Sequence, residues 1–152
     1  MIISFFPPTF VSQGDGSPNA RNNPLRIWIE PKVAKSEYWG AVLAQERYEW
    51  GFKWKVGIAP ALFMESRIEP MGHAVEARVA ADYYGADFAA YEAREAVSLG
   101  SYESFRGKSQ AELLALMVAK RAAASRWVKR HSRYIEWAVA KGAEVARKRG
   151  SS

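Results

Sequence analysis

The stretch "AVLAQERYEWGF", residues 41–52, sets Gln45, Glu46 and Glu49 inside a run that is otherwise apolar on nearly every side. At 100° per residue Trp39, Leu43, Glu46, Trp50 and Trp54 share one helix face, with Tyr38, Val42, Gln45 and Glu49 in the sector beside it. The wet side is narrow, around Glu37, Arg47, Gly51 and Lys55. A carboxylate carried into a core without a partner costs several kcal/mol, so it must be ion-paired, protonated or metal-bound. The plain reading pairs these acids with an arginine such as Arg67, Arg78 or Arg94, or leaves them at a wet rim. The chemical reading looks to "GHAVEAR", residues 72–78, where His73, Glu76, Ala77 and Ala80 fall on one face of the next helix. Two helices facing each other in this way can build a hard-cation or zinc site from Glu49, His73 and Glu76, with Gln45 as a further candidate. His131, at the centre of a stripe of Trp127, Val128, Tyr134, Ile135 and Ala138, reads as hydrogen-bonded core or as a third helix's nitrogen ligand. The expected state carries no cofactor, and a divalent metal is the alternative.

These residues need a scaffold. Residues 2–6 read as a short strand or extended arm, and "SQGDGSPNARNNP" as loop. "LRIWIEP" alternates Leu25, Ile27 and Ile29 with Arg26, Trp28 and Glu30, the period of a strand with one buried face. Pro24 and Pro31 bracket it and favour an edge position. Ser36 can cap a helix running to about Val56, with Gly57 as its stop. A turn or short helix around Pro60–Arg67 leads to a helix with Pro70 at its N-terminus and Gly85 at its end. Asp87 opens another through about Leu99, closed by Gly100. Ser109 and Glu112 form a capping box before "LLALM", opening a helix that continues beyond Ala140 and bends near Gly142. The fold class is mainly α, with four to five helices, a small N-terminal β-hairpin or extended arm, and a long basic C-terminal helix. A chain of 152 residues with 49% hydrophobic residues is long enough for one core. We read it as a single domain: arm and β element in 1–35, helical core with the candidate site in 36–105, C-terminal helix in 106–152.

A short strand "RIWIEP", then "QERYE" at Gln45–Glu49, then "GHAVEAR" at Gly72–Arg78 resembles small phage-encoded zincin-like metallopeptidase domains. In that family a helix bears H-E-x-x-H and a following helix begins "P-x-E-x-E-A"; the resemblance spans roughly residues 25–85. It implies that Glu46 stands at the general base and Glu76 at the third ligand. Gln45 and Glu49 replace both histidines, and a neutral amide is a poor substitute for imidazole on zinc. The resemblance therefore implies a degenerate, catalytically dead relative and a phage origin, with a metal-dependent hydrolase or peptidase using Glu46 as the alternative.

Charge and composition bound the rest. There is no cysteine, so disulfides and thiolate ligands are excluded. The start "MIISFFPPTF" lacks a basic n-region and its apolar run stops at Pro7-Pro8, so neither a signal peptide nor a membrane span is expected. Residues 120–149 hold ten Lys/Arg against Glu136 and Glu144, a net +8; with +6 for the chain, the remainder sums to −2. Arg126, Lys129, Arg130 and Arg133 form a stripe suited to phosphates of a nucleic acid or to an acidic partner, the plain reading being a solvated helix face. Phe5, Phe6 and Phe10 on the extended arm are candidate partner contacts, unless the arm pairs with residues 25–30 of its own chain. Tyr83, Tyr84, Tyr91, Tyr102 and Phe105 add aromatic anchors, and six Trp are a heavy load. The leading expectation is a non-enzymatic phage-type assembly or virion-associated protein, in the virion or the host cytoplasm, contacting other subunits as a homo- or hetero-oligomer. The alternatives are the metal-dependent hydrolase and a nucleic-acid-binding module.

Overall fold

The computed structural model describes residues 9–11, 20–23, 25–29, 38–61 and 63–150. The fold is mainly α with a small N-terminal β element. Strands β1 (Thr9–Val11), β2 (Ala20–Asn22) and β3 (Ile27–Ile29) form a sheet in the order β1-β3-β2. β3 pairs antiparallel with β2, Ala20 opposite Ile29, and parallel with β1, Thr9 opposite Ile27. The β2–β3 hairpin is closed by Asn23, whose Oδ1 accepts from the backbone N–H of Leu25 and of Arg26. That side-chain bond mimics a turn and is a local reason for the hairpin.

Two expectations change here. Residues 20–22, read as loop, are a strand. β3 is central, not an edge: its ladder runs only from Ile27 to Ile29, so neither Pro24 nor Pro31 is asked for a donor. Ile27 and Ile29 are fully buried, whereas Leu25 is 65% exposed and stands outside the paired segment. Residues 2–6, with Phe5 and Phe6, lie outside the described residues. Phe10 is in β1, opposite Trp28, so this part of the arm pairs within its own chain.

The helices are α1 (Trp39–Val56), the one-turn α2 (Ile58–Ala61), α3 (Glu65–Tyr84), α4 (Phe88–Leu99), α5 (Gln110–Val118), α6 (Arg121–Arg130) and α7 (Ser132–Gly150), with a 3₁₀ turn at Glu103–Phe105. Ser36 is outside the described residues; Tyr38 sits at the N-cap of α1 without a side-chain cap bond. Gly57 and Gly85 end α1 and α3 at positive φ, 94° and 70°. Asp87 caps α4 by accepting from the Ala90 N–H, and both halves of the Ser109–Glu112 capping box are present on α5.

α3 begins at Glu65, so Pro70 lies inside it rather than at its start. The expected long C-terminal helix is three helices, α5 to α7, broken at Ala119–Lys120 and at His131. At His131 the ring stacks on Trp127 and Nδ1–H donates to the Trp127 carbonyl, a local bond that competes with a continuous helix. The break lets α6 pack on α3 while α7 turns to pack on α1. α7 runs without interruption through Gly142, which lies against Trp39, where an added Cβ would come within 3.0 Å of the Trp39 Cβ.

α1 and α3 form the central pair, and every residue from Trp39 to Glu46 is buried. One core cluster joins Ala41, Val75, Tyr91, Trp127 and Ile135; a second seats Ile27, Ile29 and Trp39 of the sheet–α1 contact against Tyr134 of α7; a third locks Leu99 and Phe105 to Met117. The first two turns of α1 are therefore enclosed, and Glu46 and Glu49 near their end are buried with them.

Candidate metal centre

Three helices and one strand bring polar groups into this interior. From α1 come Gln45, Glu46 and Glu49; from α3 come Glu69, His73 and Glu76, spaced i, i+4, i+7 on one face; from α4 comes Glu95. Gln45, Glu46, Glu49, His73, Glu76 and Glu95 are each only 3–7% exposed. Gly72 lets α3 approach: a Cβ there would lie 3.0 Å from Glu49 Oε1 and 3.2 Å from Gln45 Cγ.

The groups fall into two linked halves. In the first, Asn22 of β2 donates to Glu46 Oε2 at 2.5 Å and Glu49 Oε2 at 3.1 Å, while Lys53 holds Asn22 through its Oδ1 at 2.6 Å. Gln45 Nε2 donates to Glu49 Oε1 at 3.3 Å, and the Glu49 carboxyl hydrogen-bonds that of Glu69. In the second, His73 Nδ1 lies 2.5 Å from Glu95 Oε2, the Tyr91 hydroxyl donates to Glu76 Oε1 at 2.7 Å, and the Glu76 and Glu95 carboxyls hydrogen-bond each other. His73 Nε2 joins the halves, 3.7 Å from Glu69 Oε2 and 3.3 Å from the Tyr102 hydroxyl. Ligand atoms of His73, Glu76 and Glu95 all lie within 4.8 Å of one another.

Five carboxyl groups with one lysine, held at second hand through Asn22, cannot all ionise. Burial pushes Glu46 and Glu95 up to about 7, against the Asn22 bond at Glu46 and nearby Arg94 at Glu95. Burial raises Glu49, Glu69 and Glu76 to about 8, with a neighbouring carboxylate adding to each. Burial lowers His73, so its ring is neutral, and it raises the Tyr91 and Tyr102 hydroxyls. Where buried carboxyls approach one another, as Glu49 does Glu69 and Glu76 does Glu95, a proton on one partner relieves the repulsion. A divalent cation is the other species that two facing carboxylates can share.

Of the residues expected at a site, the structure groups His73 and Glu76 with Glu95, while Glu46 and Glu49, also buried, meet at Asn22 in the other half. Gln45 is a donor to Glu49 rather than a member of the ligand group. Among the described residues the arginines expected to pair with the acids form no ion pair with them: Arg78 pairs with Asp82 at 2.9 Å, Arg94 lies over the Tyr91 ring, and Arg67 is exposed. His131 is outside the cluster, on α6's C-terminal end with Trp127. Tyr91 and Phe105, expected as partner anchors, are buried. Arg126, Lys129, Arg130 and Arg133 are all exposed, away from the acids.

Sequence reasoning missed Glu69, Glu95, Asn22, Lys53 and the roles of the two tyrosines. Glu69 was hidden by reading Pro70 as a helix start, which put Glu69 in a loop. The register Glu69-x-x-x-His73-x-x-Glu76 was a usable signal, since all three share a face. No protein-family model, curated protein or solved structure matches the chain.

Proposed function

We propose that this chain is a divalent-metal protein whose buried carboxylate–histidine centre supports metal-dependent hydrolysis of a small substrate. The observation that carries the reading is the buried group of His73, Glu76 and Glu95, whose ligand atoms all lie within 4.8 Å of one another, with buried Glu49 beside it. A fold that needs only stability would replace such groups with apolar ones, because buried ionisable pairs are weak stabilisers. Their concentration on facing helices supports a site. His73, Glu76 and Glu95 would hold one cation, and Glu49 with Glu69 would hold a second or share the first. Four or five carboxylates to one imidazole suit manganese, ferrous iron or magnesium better than zinc in a nitrogen-rich tetrahedron.

When bound, such a cation supplies a Lewis acid and an acidified water. Glu46 touches Asn22 and none of the proposed ligands' paired oxygens, and its affinity for protons near neutrality suits it to accept one. Asn22, anchored by Lys53, orients that carboxylate. Burial of the centre favours a small substrate over a polypeptide, with Glu69 and Tyr102, the less buried members, on the side of approach. This reading takes the metal-dependent alternative above the non-enzymatic assembly role, because an assembly surface does not call for acids in the core.

The test is metal content and its thermal effect. The purified full chain, stripped with chelator and reloaded with manganese or ferrous iron, should bind one or two ions and melt higher; His73→Ala and Glu95→Gln should each abolish the shift. Absence of any melting shift with millimolar magnesium, manganese, ferrous iron or zinc would overturn the proposal.

A further inference from the structure

α1 and α6 line an open cleft of about 840 Å³ to which none of the buried acids contributes. Its charged lining is wholly basic: Arg47 and Lys55 from α1, Arg126 and Arg130 from α6. Lys55, Arg126 and Arg130 are exposed and make no ion pair among the described residues. The half-buried Arg47 has no acidic partner there either; its guanidinium lies 4.8 Å over the Trp50 ring, and its Nε makes no hydrogen bond among the described residues.

Between these cations stand flat rings. Trp127 and His131 are stacked, centroids 4.0 Å apart and planes at 15°, and Tyr48 meets Trp127 edge-on. Trp54 is 59% exposed at the cleft. Its ring meets that of Trp50 in a tilted contact, centroids 6.1 Å apart. Cations spaced among aromatic faces match a polymer that alternates phosphates with bases. The charge also runs on past the cleft, through Lys129 and Arg133, both exposed.

We propose that this cleft binds single-stranded nucleic acid, Trp54 and the half-buried His131, backed by the core Trp127, taking unpaired bases while Lys55, Arg126 and Arg130 take phosphates. An acidic peptide would use the cations and leave the rings idle. A duplex would reach the outer stripe, but its paired bases would not enter between the helices. The inference is independent of the metal centre, since the cleft lining and the buried acids share no residue.

The test uses the full chain in chelator and a fluorescent 12-nucleotide oligothymidylate, read by polarisation at several salt concentrations. Binding should weaken as salt rises. Trp54→Ala should raise Kd about 5- to 100-fold, the range expected for losing one stacking ring, while Trp54→Phe keeps most of the affinity. Arg126→Ala with Arg130→Ala should flatten the slope of log affinity against log salt by about 1.4, two phosphates' worth. A duplex of equal length, polyglutamate and thymidine monophosphate should each compete at least about tenfold less well. The proposal is overturned by absence of binding at 50 mM salt, by a Trp54→Ala protein that binds as well as the parent, or by any of the three competitors matching the oligonucleotide.

Discussion

Glu76 shows what a single residue in this core must balance. Its Oε1 accepts from Tyr91, its carboxyl meets that of Glu95, and burial holds it neutral up to a pH of about 8. An amide can keep that geometry without needing a proton, its oxygen accepting from Tyr91 and its nitrogen donating to Glu95. Glu76→Gln should therefore stabilise the metal-free protein at pH 8.5, raising Tm by roughly 3 °C or more, and make little difference at pH 5. The same change should remove the melting response to manganese, because the amide cannot supply a charged ligand. Calorimetry of parent and variant at both pH values checks this; a Glu76→Gln protein that melts lower than the parent at pH 8.5 would count against the account. Glu46, Glu49, His73 and Glu76 were legible in the sequence because each interrupts an apolar face. Glu95 was not, since in "AREAV" it follows Arg94 and the two read together as an ordinary charged helix surface. Asn22 was unreadable for a different reason: its role depends on a strand meeting a helix 24 positions away.

At the scale of elements, the site exists because helices come unusually close, and glycines permit it. Gly40 is the sharpest case. A Cβ there would stand 2.6 Å from the Tyr84 hydroxyl, 2.9 Å from Val139 Cγ2 and 3.1 Å from the Val139 Cα, and the Gly40 N–H donates to that same hydroxyl. Since one obstacle is backbone, α7 itself would have to retreat. Gly40→Ala should cost about 1–3 kcal/mol in urea unfolding despite alanine's better helix propensity. Gly51→Ala is the control: its Cβ would meet only the Arg47 guanidinium, the movable end of a long side chain, so stability should be unchanged or slightly raised. Equal losses in the two variants would show that the close packing of α1 is not what Gly40 serves. Local signals such as the Ser109 capping box, the Asp87 cap and the two positive-φ glycines were readable because their chemistry lies within a few residues. The helix start before Pro70, the break at His131 and the central place of β3 were not. Each is decided by what the element packs against: α3 on α1, α6 on α3, and β1 arriving on the far side of β3.

Across the whole molecule, a set of glutamates on α1, α3 and α4 is turned inward while the described cations of α6 and α7 face outward. The outward half was visible in the sequence as a +8 segment; the inward half needed the helices to be placed together. This sorting makes a definite statement about pH. Glu46, Glu49, Glu69, Glu76 and Glu95 bind protons more tightly folded, at about 7 to 8, than the ordinary carboxyl value of 4.5. Between those limits the folded chain carries more protons than the unfolded one, so their contribution to stability is full below about pH 4.5 and is lost as pH rises through 7 to 8. His73 and His131 act the other way: burial lowers both, so their contribution is present above about 6.5 and is lost as pH falls. Above pH 6.5 the histidines no longer oppose the carboxyls, and the metal-free protein should lose stability steadily from there to about pH 8.5. A bound divalent cation replaces the protons and binds better as they leave, so with excess manganese the trend should flatten or reverse over the same interval. Paired melting curves at half-unit steps, one series in chelator and one in manganese, decide it. A metal-free Tm that is level or climbing between pH 6.5 and 8.5 would mean that the carboxyl groups ionise without cost where they stand, and the case for a cation among them would go with it.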